Sequence, residues 1–458
     1  MTQRQFFGTD GIRGRANQAP MTVESAVQLG RAVATHFRRQ QHRPKVLVGK
    51  DTRLSCYMLE AALIAGITST GADVVAVGPV PTPGIAFLTT SMRADAGIVI
   101  SASHNPYDDN GLKVFGHDGF KLPDDVELLL EELMEHPERC LQASGAELGR
   151  VRRVNDANGR YVTHVKRMLQ AEFDLEGMKI VVDCANGAAY RTAPLVFSEL
   201  GAEVIALGVA PNGLNINERC GSMHPEGVVA AVLEHGADIG VALDGDADRL
   251  ILVDERGNVV DGDAVLGLCA THLAAQDRLP HRTVVATQMS NLGLEHYLDQ
   301  HGIRLERTLV GDRYVVQRMR EGGFTCGGEQ SGHMVFLEHA TTGDGLVAAV
   351  QVLNVLLATQ RPLSDLAGRL HRVPQLLHNE RVACKPPLET LPRFQSRLAA
   401  IEQELGRRGR VLVRYSGTES KVRVMVEAED AGSLRPIADE LSALLRDEIA
   451  AIAGAIEP

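Results

Sequence analysis

The sequence predicts an α/β protein of three related βαβ domains followed by a smaller α+β domain. Three observations predict it. The chain has 458 residues, too many for one hydrophobic core when domains run to roughly 100–200 residues. A strand–helix–strand pattern recurs three times, and the tail then turns strand-rich.

Each copy of the repeat begins with an apolar strand ending in polar residues: VLVGKD at 46–51, IVVDCAN at 180–186 and VVATQMSN at 284–291. A helix follows, and a second strand opens at GADVVAVG (71–78), GAEVIALG (201–208) and GIRLE (302–306). Such units pair their strands in parallel through a right-handed crossover. A third apolar or Gly-rich stretch then runs into a polar loop: SASHNP at 101–106, DGDADR at 244–249 and GEQSGH at 328–333. Ligands of α/β sheets bind beyond the carboxyl ends of the strands, so these three loops are expected to face one shared cleft. The first helix has Thr22 as N-cap, Glu24 in its first turn and Val23, Ala26, Val27, Ala34 and Phe37 along one stripe. From about Pro374 the tail places VLV (411–413) and VRVMV (422–426) on either side of a loop, and a helix near 433–449 closes the chain.

Composition narrows the class. Apolar residues make up 44% with 45 Gly and no Trp, as in ordinary globular enzymes. The opening MTQRQFFGTDGIRG lacks the basic and apolar stretches of a secretion signal, and the apolar run 346–358 is broken by Gln351 and Asn354, so a soluble cytoplasmic protein is expected. Seven widely spaced Cys without a CxxC or Cys/His cluster point to reduced, mostly buried thiols. A net charge of −11 opposes nucleic acids and anionic membranes, which require a positive field. An anionic substrate must therefore meet a local cluster of Arg and Lys.

The loops carry the chemistry. Asp244, Asp246 and Asp248 alternate after an apolar strand, so their carboxylates point to one side and call for Mg²⁺, Mn²⁺ or Ca²⁺. A solvated acidic turn is the alternative; an EF-hand is opposed by Arg249 at the position that needs Gly and by the strand pattern of 250–253. Ser103, with His104, Asn105 and Pro106 behind it, is by itself an ordinary loop residue. Beside a metal loop, with Arg13 and Lys113 supplying cations in the same domain, it becomes a candidate for phosphoryl chemistry. Glu329, Ser331 and His333 form either a surface loop or a sugar reader, since a carboxylate accepts from two adjacent hydroxyls. Arg414, Ser416, Gly417 and Thr418, with Arg423 on the next strand, form a simple β-turn or a phosphate cradle of hydroxyls, N–H groups and guanidinium forks. Gly49, Lys50 and Asp51 lack the upstream Gly of a Walker loop, and no nucleotide site is read there.

ASHNP, DGDADR, GEQSGH and RYSGTE occur in the order and placement found in the α-D-phosphohexomutase superfamily, which the chain resembles over essentially its whole length. The resemblance implies four domains around a central cleft, three α/β with mixed sheets and a smaller α+β one. Their expected bounds are 1–153 with the phosphoserine loop, 154–256 with the metal loop, 257–371 with the sugar loop and 372–458 with the phosphate loop. It implies a phosphorylated Ser103, and one Mg²⁺ per chain held by Asp244, Asp246, Asp248 and an oxygen on Ser103. Arg13 and Lys113 would lie beside the phosphoserine, and Arg249 would close the metal loop. Glu329, Ser331 and His333 would read the sugar, while Arg414, Ser416, Gly417, Thr418 and Arg423 bind its distal phosphate. His104 and Lys113 both remain candidates for the general acid and base.

Within the superfamily, FGTDGIRG, SASHNP, GEQSGH and TTGDG are most similar to the bacterial branch acting on glucosamine phosphates; the phosphomannomutase/phosphoglucomutase branch more often has Met where Gln330 stands. Ser420 replaces a Pro usual in the former branch and leaves the phosphate-binding side chains intact. The implied reaction passes through a hexosamine 1,6-bisphosphate that turns end for end. A small sugar phosphate is the implied partner, with neither nucleic acid nor membrane, and there is room for a homodimer. A hydrolase with the same Ser and metal would differ by admitting water. A catalytically dead sensor would have lost Ser103 or an aspartate, and all four are present.

Overall fold

The computed structural model describes residues 5–8, 10–38, 42–416 and 420–456. They form two compact units, 1–287 with 303–369 and 288–302 with 370–458.

The first unit contains three sheets built on one plan. In the first, Lys45–Lys50 runs parallel to Asp73–Pro79 on one side and to Ala96–Ile100 on the other. Asp109–Gly116 then returns antiparallel to Ala96–Ile100. Gly11–Arg15 and Phe7–Gly8 extend that edge, and Val151–Arg153 extends the opposite one. The second sheet repeats the core of the plan: Lys179–Asp183 lies between Glu203–Leu207 and Ile239–Leu243, and Leu250–Asp254 returns antiparallel. The third repeats it with Thr283–Thr287 between Arg304–Thr308 and Cys326–Gly328, and with Met334–Phe336 returning. Each chemistry-bearing loop thus joins a parallel third strand to its antiparallel return. The third strands, Ala96–Ile100, Ile239–Leu243 and Cys326–Gly328, are buried throughout, as apolar strands covered on both faces should be. Their ends are therefore fixed points from which the loops project.

Helix Val23–His36 starts where the sequence places it, with Thr22 Oγ1 accepting from the Ser25 N–H. Ala26 and Ala34 of the expected stripe are buried, but Leu29 and Val33 fill the contact with helix Ser55–Ser69 alongside Leu59 and Leu63.

The second unit is an antiparallel sheet with Lys421–Ala428 between Gln375–Arg381 and Gly409–Tyr415. Helices Pro392–Leu405 and Leu434–Ile456 pack on it through Phe394, Ile401, Leu441 and Leu445, against Val422, Val424 and Val426. Residues 288–302, which the sequence reading counts with the third domain, group with this unit. The physical reason is the fully buried Glu427, whose carboxylate accepts from Asn291 Nδ2 at 2.9 Å and the Leu292 N–H at 3.1 Å. The fold class is as the sequence predicts: three α/β copies with mixed sheets and a smaller α+β domain. All seven Cys are free thiols. No helix among the described residues is long and apolar enough to cross a membrane.

Candidate active site

Ser103 is buried and held in the left-handed region, at φ 55°, a conformation costing a non-glycine residue about 1–2 kcal/mol. Its neighbours enforce it. The Ser103 N–H donates to Ser101 Oγ at 3.0 Å, and the Ser103 carbonyl accepts from Asn217 Nδ2 at 2.9 Å and Arg53 Nη2 at 3.2 Å. Arg53 is itself fixed by Asp51, which also accepts from Ser101 Oγ at 2.6 Å. The hydroxyl that results points at the metal loop, donating to Asp244 Oδ2 at 2.6 Å. His104 Nδ1 lies 3.3 Å from the same hydroxyl. Burial, then Arg249 and Arg13, press the His104 pKa down to about 4.

Asp244, Asp246 and Asp248 are buried, and one oxygen from each lies within 4.8 Å of the others. Lys113 Nζ faces two of them, at 2.9 Å from Asp246 and 3.1 Å from Asp248. Burial would lower the Lys113 pKa, but Asp10, Asp246 and Asp248 raise it well above the usual range, so it remains a cation. Asp246 also accepts from Thr82 Oγ1 at 2.6 Å. Burial, then Asp248 and Asp246, push the Asp244 carboxyl well above its usual range. Asp246 Oδ1 and Asp248 Oδ1 are buried without a hydrogen-bond partner. An Asp246 oxygen without a partner, an Asp248 oxygen without a hydrogen bond, crowded carboxylates and a hydroxyl at 2.6 Å from Asp244 are a donor set that fits a hard divalent cation. Leu250–Asp254 is a sheet strand, so the EF-hand alternative fails.

The third loop meets these groups at a cavity of about 390 Å³ lined by Asp10, Arg13, Asp248, Arg249, Glu329 and His333, among others. Glu329 Oε1 accepts from the Gly311 N–H at 3.2 Å, and Ser331 Oγ donates to Glu329 Oε2 at 3.4 Å. Arg249 donates its backbone N–H to Asp244 at 3.2 Å, and its buried Nε faces Asp248 Oδ1 at 4.0 Å without a hydrogen bond. His333 is buried between Asp312, 3.3 Å from Nε2, and Asp248, 3.6 Å from Nδ1. Burial would lower its pKa, but the two carboxylates raise it to about 10. The Gly343 N–H also approaches Nε2, at 3.1 Å, and two anions outweigh that one dipole. A Cβ at Gly343 would lie 2.3 Å from Nε2, which is why TTGDG carries glycine there. The structure thus brings Arg13, Ser103, His104, Lys113, Asp244, Asp246, Asp248, Arg249, Glu329, Ser331 and His333 into one region of the first unit.

In the second unit Arg414 and Arg423 sit directly opposite on adjacent strands. Like charges so placed destabilise a sheet unless an anion joins them. Burial, then Arg423, lower the Arg414 pKa. Ser416 is buried, and its carbonyl accepts from Lys385 Nζ at 2.6 Å. Gly417 and Thr418 lie outside the described residues.

Four models of the phosphoglucomutase/phosphomannomutase domains match in order: alpha/beta/alpha domain I at 4–139, domain II at 159–257, domain III at 261–373 and the C-terminal domain at 362–444. The chain belongs to the phosphoglucomutase/phosphomannomutase family. Among family members, it is 55% identical over 440 residues to a phosphoglucosamine mutase of Myxococcus xanthus, covering 96% of each chain. It is similar at TM-score 0.82 and 26% identity to the crystal structure of a phosphoglucomutase/phosphomannomutase family protein from Burkholderia thailandensis, covering 97% of each. An Aspergillus fumigatus N-acetylphosphoglucosamine mutase, crystallised with GlcNAc-6P and magnesium, shares the fold at TM-score 0.67 and 17% identity, covering 98% of this chain and 96% of that one.

Several groups around the family motifs escape a motif reading. Asp51, Arg53, Thr82 and Asn217 support the serine and metal loops; Asp10 pairs with Arg13 and Lys113, Asp312 with His333, and Lys121 joins Asp10 to Asp312. One signal was available for Asp51: Asp183 ends the matching strand of the second copy, where it accepts from the Ala185 and Gly221 N–H groups at 2.8 and 2.7 Å. Thr82, Asn217, Lys121 and Asp312 pair across the fold, at sequence separations no local pattern displays.

Proposed function

We propose that this chain interconverts glucosamine 6-phosphate and glucosamine 1-phosphate through a phosphorylated Ser103 and a hexosamine 1,6-bisphosphate, feeding UDP-N-acetylglucosamine and cell-wall precursor synthesis. The observation that carries the reading is the Ser103 hydroxyl 2.6 Å from Asp244 inside a buried cluster of three carboxylates, in a chain 55% identical to a phosphoglucosamine mutase.

In this reading Asp244, Asp246, Asp248 and an oxygen on Ser103 hold Mg²⁺. When bound, the ion neutralises charge on the transferring phosphoryl group and polarises its oxygens. Lys113 has its ammonium directed at carboxylates 2.9 to 3.2 Å away, which suits a fixed positive charge better than a proton carrier. His104, 3.3 Å from the Ser103 hydroxyl, is placed to move the serine proton. Arg13 and Arg249 stabilise the charge that spreads over the phosphoryl oxygens. Glu329 and Ser331 hold adjacent sugar hydroxyls, with His333 packed behind them. Arg414, Ser416, Gly417, Thr418 and Arg423 grip the phosphate that is not being transferred, whichever end of the sugar carries it. The same reading puts the enzyme in the cytoplasm, with its sugar phosphate substrates, and leaves room for a homodimer.

The test is a panel of hexose 6-phosphates followed by ³¹P NMR, with phosphorylation of Ser103 checked by intact mass. Replacing an ammonium by a hydroxyl at the second carbon loses at most one charge-assisted bond, about 1.5–3 kcal/mol. So kcat/KM for glucosamine 6-phosphate exceeds that for glucose 6-phosphate by roughly 10–100-fold. Equal values, or a preference for mannose 6-phosphate, would move the chain to the phosphomannomutase/phosphoglucomutase branch. Inorganic phosphate without isomer would make it a hydrolase.

A further inference from the structure

Six charged side chains close a ring beside the metal loop. Lys113 Nζ lies 3.2 Å from Asp10 and 3.1 Å from Asp248. Lys121 pairs with both Asp10 and Asp312. His333 closes the circuit, with Asp312 at 3.3 Å and Asp248 at 3.6 Å. The signs alternate from Lys113 through Asp10, Lys121, Asp312 and His333 to Asp248. Each α/β copy contributes: the first supplies Asp10, Lys113 and Lys121, the second Asp248, and the third Asp312 and His333. Every member is largely buried, the most exposed being Asp10 at 21%.

Lys121 lies off the site cavity. Asp10, Asp248, Asp312 and His333 line the 390 Å³ cavity beside the metal loop, whereas Lys121, with Asp312, lines a neighbouring cavity of about 680 Å³. Its backbone is anchored by a bridge to Phe115 and by the Gly116 N–H donating to the Phe120 carbonyl at 2.8 Å. The turn between them needs Gly119 at φ 78°, and a Cβ there would press on Thr90 and Thr341 at 3.0 and 3.1 Å. Thr341 Oγ1 donates to the Gly119 carbonyl at 2.6 Å. Arg313, next to Asp312, pairs with Glu127 at 2.8 Å and with Asp124. Lys121 and Asp312 thus meet from two backbones already docked on each other.

We propose that Lys121 is a positioning residue for phosphoryl transfer, holding Asp10 and Asp312 and, through them, Lys113 and His333 in register with the metal loop. The inference rests on the phosphoserine reading above. Without the Lys121 ammonium, Asp10 keeps, among the described residues, the cations Arg13 and Lys113 and draws Lys113 away from Asp246 and Asp248. Asp312 keeps His333 and draws it away from Asp248. Displacements near 1 Å in groups around reacting atoms cost roughly 10²-fold in rate, and loss of a supporting contact around a metal site costs roughly 10–100-fold.

The experiment compares full-length wild type with Lys121→Met, Lys121→Arg, Asp312→Asn and the double variant Lys121→Met/Asp312→Asn, all Mg²⁺-loaded and assayed with glucosamine 6-phosphate. Lys121→Met is expected to lower kcat roughly 10–100-fold while KM stays within about threefold, because the residue is off the 390 Å³ cavity. Lys121→Arg should recover most of the rate. The double variant should be no slower than the worse single one, as residues acting as one unit are non-additive. Wild-type kcat in Lys121→Met, a change confined to KM, or losses that multiply in the double variant would each overturn the proposal. If Lys121→Met fails to fold, the double variant, which removes both charges together, is compared with Asp312→Asn, and a further slowing beyond that single change refutes the unit. If wild type makes no glucosamine 1-phosphate, the substrate reading fails instead, and the variants are compared on the hexose phosphate that wild type does isomerise.

Discussion

Asp244→Asn separates the cost of assembling the metal site from its use. In the native site one Asp244 oxygen accepts from Ser103 Oγ at 2.6 Å and the other from the Arg249 N–H at 3.2 Å. An amide keeps both contacts with one polarity reversed: its oxygen accepts from Arg249, and its nitrogen donates to the serine hydroxyl, whose own proton then turns to His104 Nδ1 at 3.3 Å. Only the charge is lost. Two unit charges at the 4.8 Å limit of this cluster repel by about 3 kcal/mol at an effective dielectric near 20. Lys113 offsets that repulsion for Asp246 and Asp248, which it contacts directly. The pKa of Asp244 is raised by burial and by those two neighbours, so its charge is the least supported of the three. The metal-free variant should therefore melt no earlier than metal-free wild type. Its Mg²⁺ affinity should fall, because one of three anionic ligands is gone; at about 1.5–3 kcal/mol for a charge-assisted contact the loss is roughly 10–100-fold. Thermal melting across a Mg²⁺ titration reads both quantities. A variant that melts earlier without metal and binds Mg²⁺ as wild type does would refute the reasoning, since the carboxylate would then be a structural group and not a ligand.

Ser103→Ala should abolish turnover and leave the fold intact; ³¹P NMR and intact mass would detect any residual transfer. Ser101 offers no substitute, because its hydroxyl is committed to Asp51 at 2.6 Å and receives the residue 103 N–H at 3.0 Å. Arg414→Ala should raise KM by roughly 10–100-fold through loss of a charge-assisted bond to phosphate. A large fall in kcat at unchanged KM would contradict the binding role.

The repeat was legible in the sequence because apolar strands and Gly-led turns recur in register, and the loops were legible because their residues are contiguous. DGDADR is the clearest case: three acidic residues crowded behind an apolar strand do cluster, though through a turn closed by the Ala247 N–H on the Asp244 carbonyl at 3.0 Å and left-handed Ala247, and not through the extended alternation the sequence suggests. What a contiguous reading misses is support from elsewhere in the chain. Ser103 is held by Arg53 and Asn217, which are 50 and 114 residues away. Asp246 receives Thr82 from 164 residues upstream. The place of 288–302 was hidden for a different reason. Its strand-to-helix pattern matches the other copies, and the groups that tie it to the C-terminal unit, buried Glu427 and Val373 at Asn291 among them, are distant in sequence.

The shared plan of the three sheets explains how one topology yields three different chemistries. In each copy the loop leaves a buried parallel strand and enters an antiparallel partner hydrogen-bonded to it. Both ends are therefore fixed by the ladder, while the residues between them escape the alternation that burial imposes on strands. Left-handed backbone at Ser103 and Ala247, φ 55° and 57°, marks where two of these turns spend that freedom. In the proposed reading one loop carries a nucleophile, one anions for a cation, and one a carboxylate with a ring. None is sufficient alone: the hydroxyl needs the cation's charge, the carboxylates need something to offset their repulsion, and the sugar reader must lie at a set distance from both. The requirement falls on the distances between copies, and side chains that bridge those copies at the site are polar, with Lys113 to Asp246 and Asp248 and His333 to Asp248 carrying charge. An ionic contact between domains fixes distance while leaving its partners able to exchange one counter-charge for another, which is what the proposed phosphoserine cycle at Ser103 would require.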